Sequence, residues 1–145
     1  AEAGRLGLAN GRGYFTYEQR GMQGKEDPEV QALIEADRAA KGITPKRLSD
    51  GEIRMRCVAA MAGAGAAILA ADGVRRPSDI DMVAVHSLGF ARRTGGVMYA
   101  ADLLGLPVVQ DKLKAMAAVS PRIPDAPAIF AELIRSEKQF QDLDS

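Results

Sequence analysis

The apolar residues of this chain recur mainly at the three- and four-residue spacings that mark one face of a helix. Helix-start signals recur with them. In Asp27-Pro28 the aspartate can cap a helix and the proline suits its first position, and Ser49 and Glu52 have the spacing of a capping box. No alternation of strand and helix patterns is present, which argues against a sheet-based α/β fold. The pattern predicts a mainly α fold, a compact bundle of about five or six helices with an extended N-terminal arm. The predicted helices begin close to residues 27, 50, 77, 96, 107 and 125.

The longest predicted helix covers residues 50–72, and its centre, residues 59–67, is almost entirely alanine and glycine. Each glycine inside a helix costs roughly 1 kcal/mol relative to alanine, so a compensating interaction is expected. A helix without bulky side chains lets neighbouring backbones approach closely, and we therefore predict that it lies at the centre of the bundle, crossed by other helices. The face predicted to point into the core contains Ile53, Cys57, Met61, Ala64, Ile68 and Ala71.

Composition and pattern divide the chain into three segments. Residues 1–26 are a glycine-rich loop and an extended arm, residues 27–138 are the helical domain, and residues 139–145 are a polar tail that we expect to fray. The first residues, AEAGR, contain neither an initiator methionine nor the apolar core of a signal peptide. We therefore expect a fragment of a longer, intracellular protein.

The charge balance bounds the kinds of partner. The 145 residues carry 19 Lys and Arg against 19 Asp and Glu, a formal net charge of zero. Nucleic-acid binders and polybasic membrane-surface proteins need a basic surface, so neither nucleic acid nor a membrane is expected as a partner. The longest uncharged stretch, residues 57–71, is shorter than a bilayer-spanning helix. The single cysteine permits no internal disulfide and fits a reducing compartment.

The glycine-rich loop is a candidate nucleotide site. A dinucleotide fingerprint needs G-x-G-x-x-G directly after a buried strand and before a helix. Gly11 and Gly13 are followed by Thr16 where the third glycine should stand, and an aromatic segment rather than a helix comes next. We therefore interpret the loop as a tight turn.

Candidate catalytic side chains lack the partners that would orient them. His86 is the only histidine, with Asp79 and Asp81 one or two turns away, which favours a structural or surface role. Cys57 lies in the alanine-rich helix, where a free cysteine is expected to be buried. The aspartates, Asp102 included, would serve acid–base chemistry only if two of them converged on one pocket, and Asp79 also suits the first turn of a helix. The sequence therefore predicts no catalytic residue and no metal site.

Arg92 and Arg93 are the one candidate binding pair. They precede Gly95-Gly96 at a predicted helix start, where backbone N–H groups and two guanidinium groups could hold an anion such as a phosphate of coenzyme A. The alternative is a solvated loop, because two arginines alone carry little specificity.

Three stretches of the chain combine glycine, aspartate and aromatic residues in a recognisable order. They are residues 4–17, GRLGLANGRGYFTY, residues 72–81, DGVRRPSDID, and residues 89–105, GFARRTGGVMYAADLLG. In order and spacing, over about 100 residues, they resemble the second, C-terminal helical module of 3-hydroxyacyl-CoA dehydrogenase in multifunctional fatty-acid oxidation proteins.

The chain departs from that family pattern in ways that bear on catalysis. Ala9 replaces the usual lysine, Ala64-Gly65 stand where the family often has Asn-Glu, and Ala91 and Val97 replace two prolines. In the family, catalysis uses a His-Glu pair in or beside the NAD-binding domain, with an asparagine from the first helical module. The resemblance therefore implies a module that packs as a pseudo-symmetric partner, with no catalytic or cofactor-binding residue of its own.

The resemblance also implies a fold like the C-terminal domain of 6-phosphogluconate dehydrogenase and a parent reaction. That reaction is the NAD-dependent oxidation of L-3-hydroxyacyl-CoA to 3-ketoacyl-CoA in fatty-acid β-oxidation, with enoyl-CoA hydratase activity as a possible addition in the parent. NAD would belong to the parent, whose NAD-binding domain is absent from this chain. The implied partners are the N-terminal NAD-binding and first helical domains of the same polypeptide, the acyl-CoA substrate, and a second copy in a homodimer.

The implied location is the cytoplasm of a bacterium, or the peroxisome if the source is eukaryotic. A different function is left open by the residues themselves. The chain could be a non-enzymatic helical dimerisation or interaction domain, in which the family-like stretches are ordinary turns and caps. The dehydrogenase function predicts an exposed apolar face on the isolated chain, built around residues 59–67, that a partner or a second copy hides.

Overall fold

The computed structural model describes residues 4–18 and 23–144 of the chain. It divides into two compact units, the arm unit Ala1–Arg47 and the bundle unit Leu48–Ser145. The described residues form six α-helices, two short 3-10 helices and a two-stranded sheet, so the predicted mainly α fold is confirmed. The boundary between the units falls after the first helix, whereas the sequence predicts a helical domain of residues 27–138 that includes this helix.

The arm unit consists of a hairpin and one helix. Strand β1, Phe15–Thr16, pairs antiparallel with β2, Lys25–Glu26, and Phe15 lies opposite Glu26. Helix α1, Pro28–Ala40, begins as predicted, because the Asp27 carboxylate accepts the Glu29 N–H at 3.0 Å.

The bundle unit contains the other five helices. They are α2 (Asp50–Ala70), α3 (Pro77–Ser87), α4 (Val97–Leu104), α5 (Leu106–Ala117) and α6 (Ala128–Arg135). The first 3-10 helix, Arg92–Thr94, precedes α4, and the second, Phe140–Leu143, follows α6. Helix α2 contacts α3, α4, α5 and α6, so its predicted central position is confirmed.

Local signals explain the start of α2 and one of its anchors. The Ser49 hydroxyl accepts the Glu52 N–H at 3.2 Å, as the predicted cap requires. The Glu52 side chain does not complete a capping box. Its carboxylate instead accepts hydrogen bonds from Arg56 at 2.8 Å and from Lys112 of α5 at 2.9 Å. Those hydrogen bonds, first the one from Arg56, hold the pKa of Glu52 below its usual value. The carboxylate thus joins α2 to α5.

The glycines of α2 are sites of close approach, as predicted. A Cβ atom at Gly65 would lie 2.6 Å from the Met98 sulfur of α4 and 3.2 Å from Ile80 of α3. A Cβ atom at Gly63 would lie 3.0 Å from Leu113 of α5. The packing gained against three helices compensates for the low helix propensity of glycine. The buried face of α2 is made of Ala59, Ala62, Gly63, Gly65 and Ala66.

The face of α2 that the sequence predicted to be buried is mostly exposed, and this prediction was wrong. Ile53 and Ile68 are 47% and 46% exposed, and Cys57, expected to be buried, is exposed too. Both faces are apolar, but only the alanine–glycine face lets three neighbouring helices approach the α2 backbone. The bulkier face is therefore left outside.

By length and composition α2 is apolar enough to cross a membrane, contrary to the expectation that this stretch is too short. Core helices of water-soluble proteins meet the same criteria, so the finding is weak grounds for a membrane segment. Helix α2 contacts four other helices, although only 28% of its apolar window is buried.

The segment 139–144, predicted to fray, is packed into the bundle instead. Phe140 is fully buried and meets Phe130 of α6 edge to face, with ring centroids 5.3 Å apart. The polar residues around one aromatic concealed this anchor in the sequence pattern. Residue 145 lies outside the described residues.

We predict that Gly65→Ala lowers the free energy of unfolding of the bundle unit by about 1–3 kcal/mol, because the added methyl group overlaps the buried Met98. Urea denaturation followed by circular dichroism measures the change. Gly51→Ala is the matched control, since this glycine lies exposed in the first turn of the same helix and alanine is the better helix former. Equal effects of the two substitutions would contradict the close-packing account.

Candidate functional site

A cleft of about 500 Å³ in the bundle unit brings together several of the residues singled out in the sequence. It is lined by Asp81 and His86 of α3, Arg92 of the first 3-10 helix, Tyr99 of α4 and Asp144 beyond the second 3-10 helix. His86 is exposed at the end of α3, which agrees with the predicted surface role.

Asp81 is the cap of α4. Its two carboxylate oxygens accept the Met98 N–H at 2.6 Å and the Tyr99 N–H at 3.1 Å. Gly96, with φ of 123°, lies so close that any side chain there would overlap Asp81. Burial raises the pKa of Asp81, while its backbone hydrogen bonds act in the opposite direction. The Gly95-Gly96 pair is therefore explained by a carboxylate of the protein itself.

This contact bears directly on the predicted phosphate site. An anion at the start of α4 would use the same N–H groups that Asp81 already occupies. Arg92 and Arg93 are exposed on the first 3-10 helix, with Arg92 at the edge of the cleft. A coenzyme A phosphate contact by these arginines stays a prediction, and it would depend on the guanidinium groups rather than on the helix start.

The remaining aspartates also have structural partners. Buried Asp102 of α4 accepts the N–H groups of Phe140 and Gln141 at 2.9 and 3.0 Å, and burial raises its pKa. Asp79 pairs with Arg76 at 2.9 Å, and that hydrogen bond lowers the pKa of Asp79. These contacts give each aspartate a capping or pairing role in the fold. Within residues 4–18 and 23–144, no three His, Cys, Asp or Glu side chains are grouped as metal ligands.

The glycine-rich loop of the arm unit is the tight turn that the sequence predicted. The Tyr17 N–H donates to the Gly11 carbonyl at 2.8 Å, and the Arg5 guanidinium donates to the Gly13 carbonyl at 2.9 Å. A Cβ atom at Gly13 would lie 2.8 Å from the Gly7 backbone, so the glycine permits contact inside the loop. Because the loop packs on itself, its residues do not fit the pyrophosphate of NAD.

Arg5 ties that loop to α1. Its guanidinium pairs with Asp27 and, at 3.0 Å, with Glu29. The hydrogen bond from Arg5 is the main reason that the pKa of Asp27 lies below its usual value. A cleft of about 810 Å³ lies between the hairpin and α1, lined by Phe15, Leu33 and other apolar side chains.

A further feature of the bundle unit is what we call the α2 outer face. It runs the length of α2 on the side away from the buried glycines, and every residue of it is exposed. From Ile53 to Ile68 it carries no charged residue, although the exposed Asp50 lies one turn before it, and such an uncharged stretch is unusual for an exposed helix face. The face consists of Ile53, Cys57, Ala60, Ala64, Ala67 and Ile68.

The sequence pattern predicted this face only in part. Four of these six residues share the stripe that the periodicity predicts, but we expected that stripe to face the core. The signal that could have located the outer face was a second small-residue stripe on the opposite side, at Ala59, Ala62 and Ala66. A helix with two apolar stripes needs two sets of neighbours.

The fold and the α2 outer face define a helical module with an exposed apolar face, and the comparisons with known proteins place it among related sequences. No family model matches the chain. It is 36% identical to the peroxisomal bifunctional enzyme of Danio rerio over 124 residues, which cover 85% of this chain and 17% of the relative. It is 31% identical to the human enzyme of the same name over 149 residues, 98% of this chain and 21% of the relative.

A bacterial relative shows the same pattern. The fatty acid oxidation complex subunit alpha of Vibrio parahaemolyticus is 30% identical over 116 residues, 79% of this chain and 15% of that protein. The chain thus spans only 15–21% of the length of these relatives. The resemblance found in the sequence is confirmed: the chain is homologous to one segment of multifunctional fatty-acid β-oxidation enzymes.

We predict that the stability difference between the wild type and Asp102→Asn depends on pH. Because burial raises the folded-state pKa of Asp102 above its ordinary value of 3.8, the folded protein keeps a proton that the unfolded chain has lost. The wild-type contribution is therefore full below the ordinary value and falls as pH rises through the raised pKa. The asparagine side chain of the variant does not titrate.

Urea denaturation of both proteins from about pH 4 to about pH 7 measures this difference. The advantage of the wild type should be larger at the acidic end. Groups such as Glu52, whose pKa is lowered, act equally in both proteins and cancel in the comparison. A wild-type advantage that grows with rising pH would show that Asp102 ionises more readily in the folded state.

Proposed function

We propose that this chain is the C-terminal helical module of an NAD-dependent L-3-hydroxyacyl-CoA dehydrogenase of fatty-acid β-oxidation. Its role there is to support the enzyme by packing, and catalysis lies elsewhere. Its partners are the companion domains, meaning the N-terminal NAD-binding and first helical domains of the same parent polypeptide. The parent oxidises 3-hydroxyacyl-CoA to 3-ketoacyl-CoA with NAD as the hydride acceptor.

The observation that carries this proposal is the α2 outer face. It is an uncharged surface on the central helix of the bundle, exposed from Ile53 at one end to Ile68 at the other. Apolar surface of this kind is normally covered by another protein surface. The homology supports the companion domains as the surface that covers it, because the relatives are several times longer than the region they share with this chain.

The order of side chains along the face suits a helix of similar design. The two isoleucines stand at the ends and the alanines Ala60 and Ala64 in the middle. An antiparallel partner helix with the same order would place isoleucine against isoleucine and small residues where the backbones cross. We propose that a pseudo-symmetric helical module of the same polypeptide supplies this partner helix.

The chain's own residues contribute to the reaction through packing alone in this proposal. The glycine-rich loop does not fit NAD, and the aspartates of the bundle unit cap helices or pair with arginine. The module therefore holds the companion domains in place, and the NAD-binding residues are those of the parent's other half. The proposed location is the peroxisome for a eukaryotic parent, in line with the name of the human relative, and the cytoplasm for a bacterial one.

We predict that Ala64→Glu weakens binding of this chain to the companion domains roughly a hundredfold, because a buried, unpaired carboxylate at an interface costs about 3 kcal/mol or more. The companion domains are produced as a separate protein, and titration calorimetry measures the affinity. Dehydrogenase activity of the mixture, with acetoacetyl-CoA and NADH, should fall in parallel. The isolated variant should remain folded, since residue 64 is exposed.

Ala131→Glu is the matched control, because Ala131 is an exposed alanine of α6 and not part of the α2 outer face. It should bind the companion domains like the wild type. If the chain fails to bind them and instead forms a stable dimer that Ala64→Glu dissociates, the alternative holds. The chain is then a helical dimerisation domain without a link to the dehydrogenase.

A further inference from the structure

Three carboxylates of the bundle unit form a closed cycle of helix caps. Asp81 of α3 accepts N–H groups of α4, and Asp102 of α4 accepts N–H groups of the second 3-10 helix. Asp144, which follows that 3-10 helix, accepts the Ser78 N–H of α3 at 3.0 Å. Each element thus caps the next, and the third caps the first.

The cycle is built from contacts that are distant in sequence. Asp102 and Phe140 are 38 positions apart, and Ser78 and Asp144 are 66 apart. Every bond joins a carboxylate to backbone N–H groups at a helix start, where such groups have no partner within the helix. A charged acceptor at that position makes a stronger bond than a neutral one.

The segment 139–144 is the only part of the cycle that consists of one short turn. It is held by Asp102 at its start, by the buried Phe140 ring against Phe130, and by Asp144 at its end. Leu143 packs against the same core. Gln141 and Asp144 also form part of the wall of the cleft between α3 and α4.

We infer that residues 139–144 form a latch that opens as one unit, uncapping α3 and uncovering Phe130 together. Losing one cap frees the segment at that end, and the remaining cap then has to order the whole segment alone. Opening the latch removes Gln141 and Asp144 from the cleft and widens it. The bundle therefore has a closed and an open form that differ in this segment.

Amide hydrogen exchange on the intact chain tests the latch. Asp144→Ala removes the acceptor of Ser78 but leaves Asp102 and its two bonds unchanged. If the segment opens as one unit, exchange of the Phe140 and Gln141 amides rises about tenfold, the loss expected for one charge-assisted bond. If those two amides exchange at the wild-type rate while only Ser78 is exposed, the caps act independently and the latch does not exist.

Two further variants keep the result clear. Asp79 lies at the same end of α3 but pairs with Arg76 and is not part of the cycle. Asp79→Ala should therefore leave the exchange rates of the Phe140 and Gln141 amides unchanged. The reciprocal variant Asp102→Asn keeps the shape of the side chain and should speed exchange at Ser78, whose own acceptor is intact. Unchanged exchange at Ser78 in that folded variant would also overturn the inference.

Discussion

The bundle unit depends on the close approach between α2 and its neighbours that the absence of a side chain at Gly63 and Gly65 allows. Met98, Ile80 and Leu113 occupy the space where two Cβ atoms would lie. Because three helices can approach the α2 backbone on this side, α2 becomes the centre of the bundle. The low helix propensity of two glycines is offset by dispersion contacts with these neighbours.

The same constraint explains why an apolar face is left outside. A helix has room for a limited set of neighbours on one side, and the small-residue face of α2 accommodates them at the shortest distance. The opposite face, with Ile53, Cys57 and Ile68, keeps its apolar character but receives no neighbour within the described bundle unit. The packing of the module and the surface proposed for its partner are thus two sides of one helix.

Much of the fold followed from local signals in the sequence. Asp27 and Ser49 cap their helices as the spacing predicted, and the glycines of α2 marked a site of close packing. These features could be predicted because the interacting groups are neighbours in the chain or act on their own helix.

The rest depends on contacts between distant residues, which periodicity does not encode. Which apolar face of α2 is buried depends on the shapes of Met98 and Leu113, not on hydrophobicity alone. The roles of Asp102 and Asp144 as caps of remote elements carry no local signature, so an isolated aspartate and a frayed tail were the natural expectations. Four of the six residues of the α2 outer face were therefore predicted to share one stripe, but the stripe was expected to face the core.

Cys57 provides the most direct test of the central claim, because the only cysteine of the chain lies on the α2 outer face. The measurement is the rate at which a maleimide labels this thiol, first in the isolated chain and then with the companion domains at saturating concentration. The account predicts rapid labelling of the isolated chain, as for an exposed thiol, and strong protection in the complex. Slow labelling of the folded, isolated chain, or equal labelling in the complex, would contradict it.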